Sequence, residues 1–148
     1  VMLTIGRKED VVLKIPTRSV EGKNLFIRIN VEAKIDSGAY GNSMHIKKCI
    51  EPYYSTTNKC YGALIILDTD KEIFLKSSDY FFKNVKNSSG RSERRLATKL
   101  KILVGKKTYK TTFTFTNREG LRNKILLGRQ LLKNRFLIDV SKTNLLSV

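Results

Sequence analysis

The apolar residues of this chain come in short bursts rather than long runs. Val11-Val12-Leu13-Lys14-Ile15, Leu25 to Val31, Ala63 to Leu67, Glu72 to Leu75, Leu100 to Val104 and Thr108 to Thr116 are rich in β-branched and aromatic residues, with Gly, Asn and Asp between them. Residues two apart on a strand share a face, so this patterning buries one side of a sheet and wets the other. Asp68-Thr69-Asp70-Lys71 and Gly105-Lys106-Lys107 place turn formers between neighbouring bursts and predict two hairpins. A helix is expected only at Gln130 to Lys133. Many short strands with regular turns and one late helix predict an all-β fold, closed or nearly closed into a barrel with one short C-terminal helix.

A chain of 148 residues is long enough for one buried core, and residues 1–148 read as a single domain. No internal repeat stands out, and no linker separates two composition zones: the two prolines, Pro16 and Pro52, lie far apart. No apolar run is long enough to span a membrane, and no charged-then-apolar leader opens the sequence. The expectation is a chain with no membrane segment, in the cytoplasm, or in the periplasm where a leader has been removed ahead of Val1.

Within this pattern, Val31 to Ala39 is the run that carries chemistry. Asp36 leaves a half-buried strand and is followed by Ser37, Gly38 and Ala39, small residues that let the backbone turn sharply and a second copy approach closely. The same residues also make an ordinary Asp-Ser-Gly turn. Lys124-Ile125-Leu126-Leu127-Gly128-Arg129 then gives an apolar strand that stops at a glycine and restarts as the short helix.

Asp-Ser-Gly-Ala early and Leu-Leu-Gly-Arg late resemble the signature pair of retropepsin-like aspartic peptidases. The chain is most similar to the bacterial branch named for ATP-dependent zinc proteases. Ile5-Gly6-Arg7-Lys8-Glu9 resembles that family's opening segment, and Ala33 to His45 its Asp-Thr-Gly-Ala followed by Ser-Ser-Leu-His. Val85 to Gly90 with Glu93, Arg94 and Arg95 resembles its Ser-Ser-Asn-Gly and Glu-x-Arg-Pro stretch. Thr116-Asn117-Arg118 through Leu126 to Arg129 and on to Ile138 to Ser141 resembles its C-terminal signature. The resemblance implies a retropepsin-like barrel, a catalytic Asp36 with Ser37 and Gly38 shaping its loop, and a flap at Tyr80 to Lys99. The tip of that flap, Ser88, Ser89 and Gly90, would cover substrate beside Ala39.

Peptide hydrolysis by this route needs one carboxylate to take a proton from water while another delivers one to the scissile amide. Two adjacent carboxyls cannot both ionise cheaply and so share a proton. A single Asp-Ser-Gly in the chain therefore implies a homodimer with its two-fold axis between Asp36 and its mate.

The chain carries 29 Lys and Arg against 13 Asp and Glu, a formal net charge of +16, which attracts anions. Arg91, Arg94 and Arg95 cluster beside the expected flap and Arg129 follows Gly128, so these arginines are the candidate contacts for an acidic peptide. The resemblance points the same way: relatives are associated with ligases that add glutamates to proteins, which implies a glutamylated protein as substrate and an ATP-grasp glutamate ligase as partner. In viral retropepsins an aspartate follows Asp-Thr-Gly-Ala and pairs with the arginine of the late motif. Tyr40 stands there instead, leaving solvent, Asp139, a backbone carbonyl or substrate as the partner of Arg129. Two alternatives stay open: a basic nucleic-acid-binding barrel, which leaves the paired motifs without a purpose, and a retropepsin-like fold that binds without cleaving.

No metal or other cofactor is expected. There is no His-Glu-x-x-His, and the soft ligands are His45, Cys49 and Cys60, whose spacing matches no recognised zinc site. The two cysteines could pair or stay free. Gly105-Lys106-Lys107-Thr108 resembles the end of a phosphate loop, but Leu100 stands where that loop needs its first glycine.

Overall fold

The computed structural model describes residues 2–18, 23–87 and 89–147. In chain order its strands are β1 (Leu3–Gly6), β2 (Lys8–Arg18), β3 (Asn24–Ile35), β4 (Asn42–His45), β5 (Lys48–Ser55), β6 (Cys60–Ile66), β7 (Glu72–Lys76), β8 (Phe81–Lys86), β9 (Ser92–Val104), β10 (Lys107–Thr116), β11 (Ile125–Leu127) and β12 (Phe136–Asp139), with one helix, α1 (Arg129–Leu132). Strands β10, β4, β11, β3, β2 and β9 pair in that order, and β9 pairs again with β10, so six strands close a barrel. Strand β8 adds to the outer edge of β9 and forms with it the flap-like hairpin. The expected all-β retropepsin-like barrel with one short C-terminal helix is what the chain forms; the helix spans Arg129–Leu132, one residue ahead of its expected position.

Alternation explains the wall. Along β2, Glu9, Val11, Leu13 and Ile15 are buried and the residues between them are not. On β9 Leu96, Leu100, Ile102 and Val104 join the same core, with Phe113 and Phe115 of β10 and Leu127 of β11. The expected hairpin at Gly105 is present, with Gly105 at φ +62°, a conformation that glycine adopts without strain.

Residues 48–76 fold as a separate antiparallel sheet, β5-β6-β7. Ala63, Ile65, Ile73 and Leu75 from it are buried in the common core, so the insert is packed onto the barrel. Cys49 lies opposite Ile65 and Cys60 opposite Ser55, near opposite ends of the β5-β6 hairpin, and both thiols are free.

β1 and β12 pair in parallel apart from the barrel, and the segment after β12 is tied back across β2. The fully buried Glu9 carboxylate is the tie: it accepts the backbone N–H of Gly6 at 2.8 Å, of Leu145 at 2.9 Å and of Leu146 at 2.8 Å, and the Ser147 hydroxyl at 3.1 Å. No helix among the described residues is long and apolar enough to cross a membrane.

Candidate active site

The two sequence motifs meet because β3 and β11 are parallel neighbours. Ile35 is in register with Leu127, so both strands end at the same level and their loops leave side by side. Asp36 donates its backbone N–H to the carbonyl of Leu127 at 2.9 Å, fixing the first residue of one loop to the last residue of the other strand. The Asp36 carboxylate, half-buried, accepts the N–H of Gly38 at 2.8 Å, which folds the Asp-Ser-Gly turn onto its own side chain.

Gly128 lets the loops touch. A Cβ there would sit 2.3 Å from the carbonyl oxygen of Gly41 and 2.7 Å from that of Ala39. Its φ of −105° is open to any residue, so space and not conformation demands the glycine. The contact is locked by N–H donation from Arg129 to the carbonyl of Ala39 at 2.9 Å and from Gln130 to that of Tyr40 at 2.7 Å. Asn42, which sequence reasoning did not single out, holds the floor from below. Its buried side chain accepts the N–H of Gly128 at 3.0 Å and donates at 3.0 Å to the Thr111 hydroxyl and to the Thr112 carbonyl across the barrel. The only sequence signal for it is an amide in a four-residue strand with no apolar alternation.

Arg129 finds its partner in the loop. Its guanidinium donates to the carbonyl of Ser37 at 2.9 Å and lies 5.9 Å from the centre of the Tyr40 ring, whose other cationic neighbour is Lys83 of β8 at 5.6 Å. Where the sequence resemblance implies an aspartate, Tyr40 offers a ring face instead. Asp139 serves elsewhere, accepting the Ser141 hydroxyl at 2.6 Å, which with the Ser141 N–H holds its carboxyl below the usual range.

A cleft of about 870 Å³ opens over the loop, lined by Asp36, Gly38 and Ala39 on the floor and by β8, β9 and the segment after β10 on the walls. Of the four arginines singled out from the sequence, Arg95 lines it. Arg94 points to the opposite face of β9 and stacks 3.7 Å from the centre of the Phe82 ring. Arg91 stands at the hairpin tip with Ser89 and Gly90, where the Asn87 carboxamide oxygen accepts the N–H of Ser89 at 3.0 Å and of Arg91 at 3.1 Å. Ser88 lies outside the described residues. Arg95 is well occupied: its Nε and Nη2 both reach the Glu93 carboxylate at 3.1 Å, and Nη1 reaches Thr114 at 3.4 Å.

A second arginine lines the cleft that composition did not isolate. Arg118, in the segment between β10 and β11, donates its backbone N–H to His45 Nδ1 at 2.8 Å and its Nε–H to the carbonyl of Asn123 at 3.0 Å. Burial, and then the like charge of Arg95, pulls its guanidinium below the usual value, while the Asp36 carboxylate pulls the other way.

His45 also tests the zinc in the name of the family the sequence resembles. Its ring, Asp68 and Glu119 bring three donor groups within 4.8 Å of one another. Nδ1 accepts the Arg118 N–H and so keeps its lone pair; in a neutral ring Nε2 then carries the hydrogen, which it donates to Asp68 at 2.6 Å. A metal at Nε2 would require loss of that hydrogen and an imidazolate. The donor set does not fit zinc, and the ring reads as a brace between the β6-β7 turn and Arg118.

Comparison with known proteins agrees with this geometry. The family described as RimB-like, retropepsin-like aspartic endopeptidase RimB, matches residues 6–147. A protein of Shewanella pealeana named probable alpha-L-glutamate ligase is 29% identical over 121 residues, covering 76% of this chain and 25% of that protein. One of Parasynechococcus marenigrum with the same name is 24% identical over 111 residues, covering 74% of this chain and 24% of its own length. The chain thus spans about a quarter of the length of the curated relatives it matches. A crystal structure of a Legionella pneumophila protein of unknown function superposes with a TM-score of 0.63 at 19% identity, covering 97% of both chains, which shows a shared fold. With both motifs brought together on the floor of one cleft and the family match running nearly end to end, the chain belongs to the RimB-like family of retropepsin-like aspartic endopeptidases.

Proposed function

We propose that this chain is an aspartic-type peptidase that acts as a two-fold homodimer on glutamate-rich tails. The observation that carries the reading is the Asp36 loop, fixed to the ends of two parallel strands and facing a cleft under a two-stranded flap. One chain supplies one carboxylate, and the second comes from the partner copy. The ionised Asp36 takes a proton from water as the water oxygen attacks the scissile carbonyl carbon. The protonated one gives its proton to the carbonyl oxygen; the first then passes the water proton to the amide nitrogen while the second takes a proton back from a hydroxyl of the diol, and the C–N bond breaks to release an acid and an amine. Ser89 to Arg91 at the flap tip close over the bound tail.

The acidic preference has two supports. Lys83, Lys86, Arg95 and Arg118 line the walls of the cleft. The curated relatives, named as glutamate ligases, carry a similar segment within chains about four times as long, which favours a glutamate ligase as the partner that builds what this chain trims.

The test offers an oligoglutamate-tailed protein and a matched glutamine-tailed control to the wild type and to Asp36→Asn. The wild type should cleave the glutamate tail faster, and Asp36→Asn should lose roughly 10²–10⁴-fold in rate while remaining folded. Undiminished cleavage by Asp36→Asn, or an active species that sediments as a monomer, would overturn the shared-carboxylate mechanism.

A further inference from the structure

Resting on that reading, we infer that Arg118 is the subsite for the substrate's acidic side chain, and that the arginines next to the flap tip are not. The cations of the region sort by what already holds them. Arg94 is stacked on Phe82 outside the cleft. Arg129 is committed to the Ser37 carbonyl and the Tyr40 ring. Arg95 has two donors on Glu93 and a third on Thr114, and its side chain is 13% exposed.

Arg118 alone among these combines a fixed position with an open fork. Its backbone is pinned by His45 and its Nε by the Asn123 carbonyl, so the guanidinium plane is set before any ligand arrives. Nη1 and Nη2 have no protein partner among the described residues, and Arg118 forms no ion pair there with Asp36 or any other carboxylate. Two parallel N–H donors on a preset plane match the two oxygens of a carboxylate. The cleft that holds them also holds Asp36, so a carboxylate bound there belongs to a residue close to the scissile bond.

The ligand class is therefore a peptide with a glutamate or aspartate side chain, not a phosphate backbone. A nucleic acid needs a track of cations, whereas of the four that line this cleft Arg95 is neutralised by Glu93 and Lys83 stands over the Tyr40 ring, which leaves Arg118 and the exposed Lys86. In the dimer the second Arg118 stands across the dyad, so acidic residues are read on both sides of the cut. The His45 ring, held by Asp68, accepts the Arg118 N–H at Nδ1 and so fixes that backbone.

Binding separates this inference from the peptidase reading. Pentaglutamate and pentaglutamine are titrated calorimetrically into the Asp36→Asn chain, alone and with Arg118→Gln or Arg118→Lys added, with thermal melting as the folding control. Arg118→Gln should weaken pentaglutamate binding at least tenfold and leave pentaglutamine unchanged. Arg118→Lys should recover part of the loss, because one ammonium restores the charge without the fork. Equal pentaglutamate affinity with and without Arg118→Gln overturns the Arg118 assignment and leaves the peptidase reading standing. A wild type that binds pentaglutamate through Arg118 yet cleaves no tail overturns the peptidase reading and leaves the subsite standing. Salt-sensitive RNA binding with no pentaglutamate binding overturns the subsite.

Discussion

Gly128→Ala is the sharpest perturbation of the floor of the cleft, because one methyl group strikes only backbone. The new Cβ would lie 2.3 Å from the Gly41 oxygen, 2.7 Å from the Ala39 oxygen and 2.8 Å from the Tyr40 carbonyl carbon. None of these is the flexible end of a side chain, so the loop itself must move by about 1 Å to reach ordinary contact. Overpacking of this kind costs about 1–3 kcal/mol. The displacement also stretches the bonds from Arg129 to Ala39, from Gln130 to Tyr40 and from Gly128 to Asn42, each worth about 1 kcal/mol. A loss of about 4–6 kcal/mol follows, comparable to the whole net stability of many domains. Urea unfolding midpoints measure it, with Gly90→Ala as the control. At φ +83° with nothing within 4 Å, Gly90 tests backbone strain without a clash and should cost no more than about 1–2 kcal/mol. Tail cleavage by Gly128→Ala should fall at least 10²-fold, the penalty of about 1 Å at a catalytic group. A Gly128→Ala chain within about 1 kcal/mol of wild type, or one that cleaves normally, would refute the close approach of the two loops.

Glu9→Gln should destabilise the chain by about 2–4 kcal/mol, since an amide must turn at least one N–H toward groups that now donate to a buried carboxylate; urea unfolding and limited proteolysis at residues 142–147 report the loss, and an unchanged midpoint would remove Glu9 as the anchor of that segment. Burial and the hydrogen bond to Glu51 push the Tyr80 phenol from its ordinary value near 10 up to about 12. Because the folded state holds that proton more tightly, the contribution is complete below about pH 10 and is lost as pH rises toward 12. An ultraviolet phenolate titration should therefore show a late phenol that disappears in Tyr80→Phe, and a late phenol that persists in the variant would remove Tyr80 as its source.

How far the sequence could be read depended on whether the constraint was local. Val11, Leu13 and Ile15 announce β2 because a strand with one buried face must alternate. Asn42 to His45 announce nothing: all four are buried in β4 between β10 and β11, so polarity no longer tracks exposure. Closure of the ring likewise depends on β4 meeting β10 in parallel, a pairing between segments about 70 residues apart that no local pattern encodes. The strand β5, with Pro52 inside it, lacks the alternation that revealed its neighbours. At the site, Gly128 was legible because crowded backbone dictates its residue type, and Asp36 because the small residues after it fold a turn onto its carboxylate. Arg118 was visible only as part of the block that resembles the C-terminal signature, and nothing local gave its charge a role that the chain's other lysines and arginines lack. Arg94 and Arg95 show the same limit: adjacent in sequence, they fall on opposite faces of β9, one on Phe82 and one in the cleft.

The floor and the walls of the cleft answer to different physics. On the floor, Asp36, Gly128 and Asn42 are tied by backbone hydrogen bonds and by contacts too tight for a methyl group, so almost any change there moves the carboxylate. On the walls, the Lys86 ammonium and the flap tip are exposed, and their charges steer an acidic chain toward the cleft over a distance set by salt, about 8 Å at physiological ionic strength. Steering of this kind does not discriminate a glutamate side chain from any other anion. Discrimination needs a donor pair whose orientation is fixed beforehand and whose solvent is partly stripped, as at half-buried Arg118 between His45 and Asn123. On the proposed reading, the large positive charge of the chain brings the acidic partner in, and a single braced guanidinium selects it.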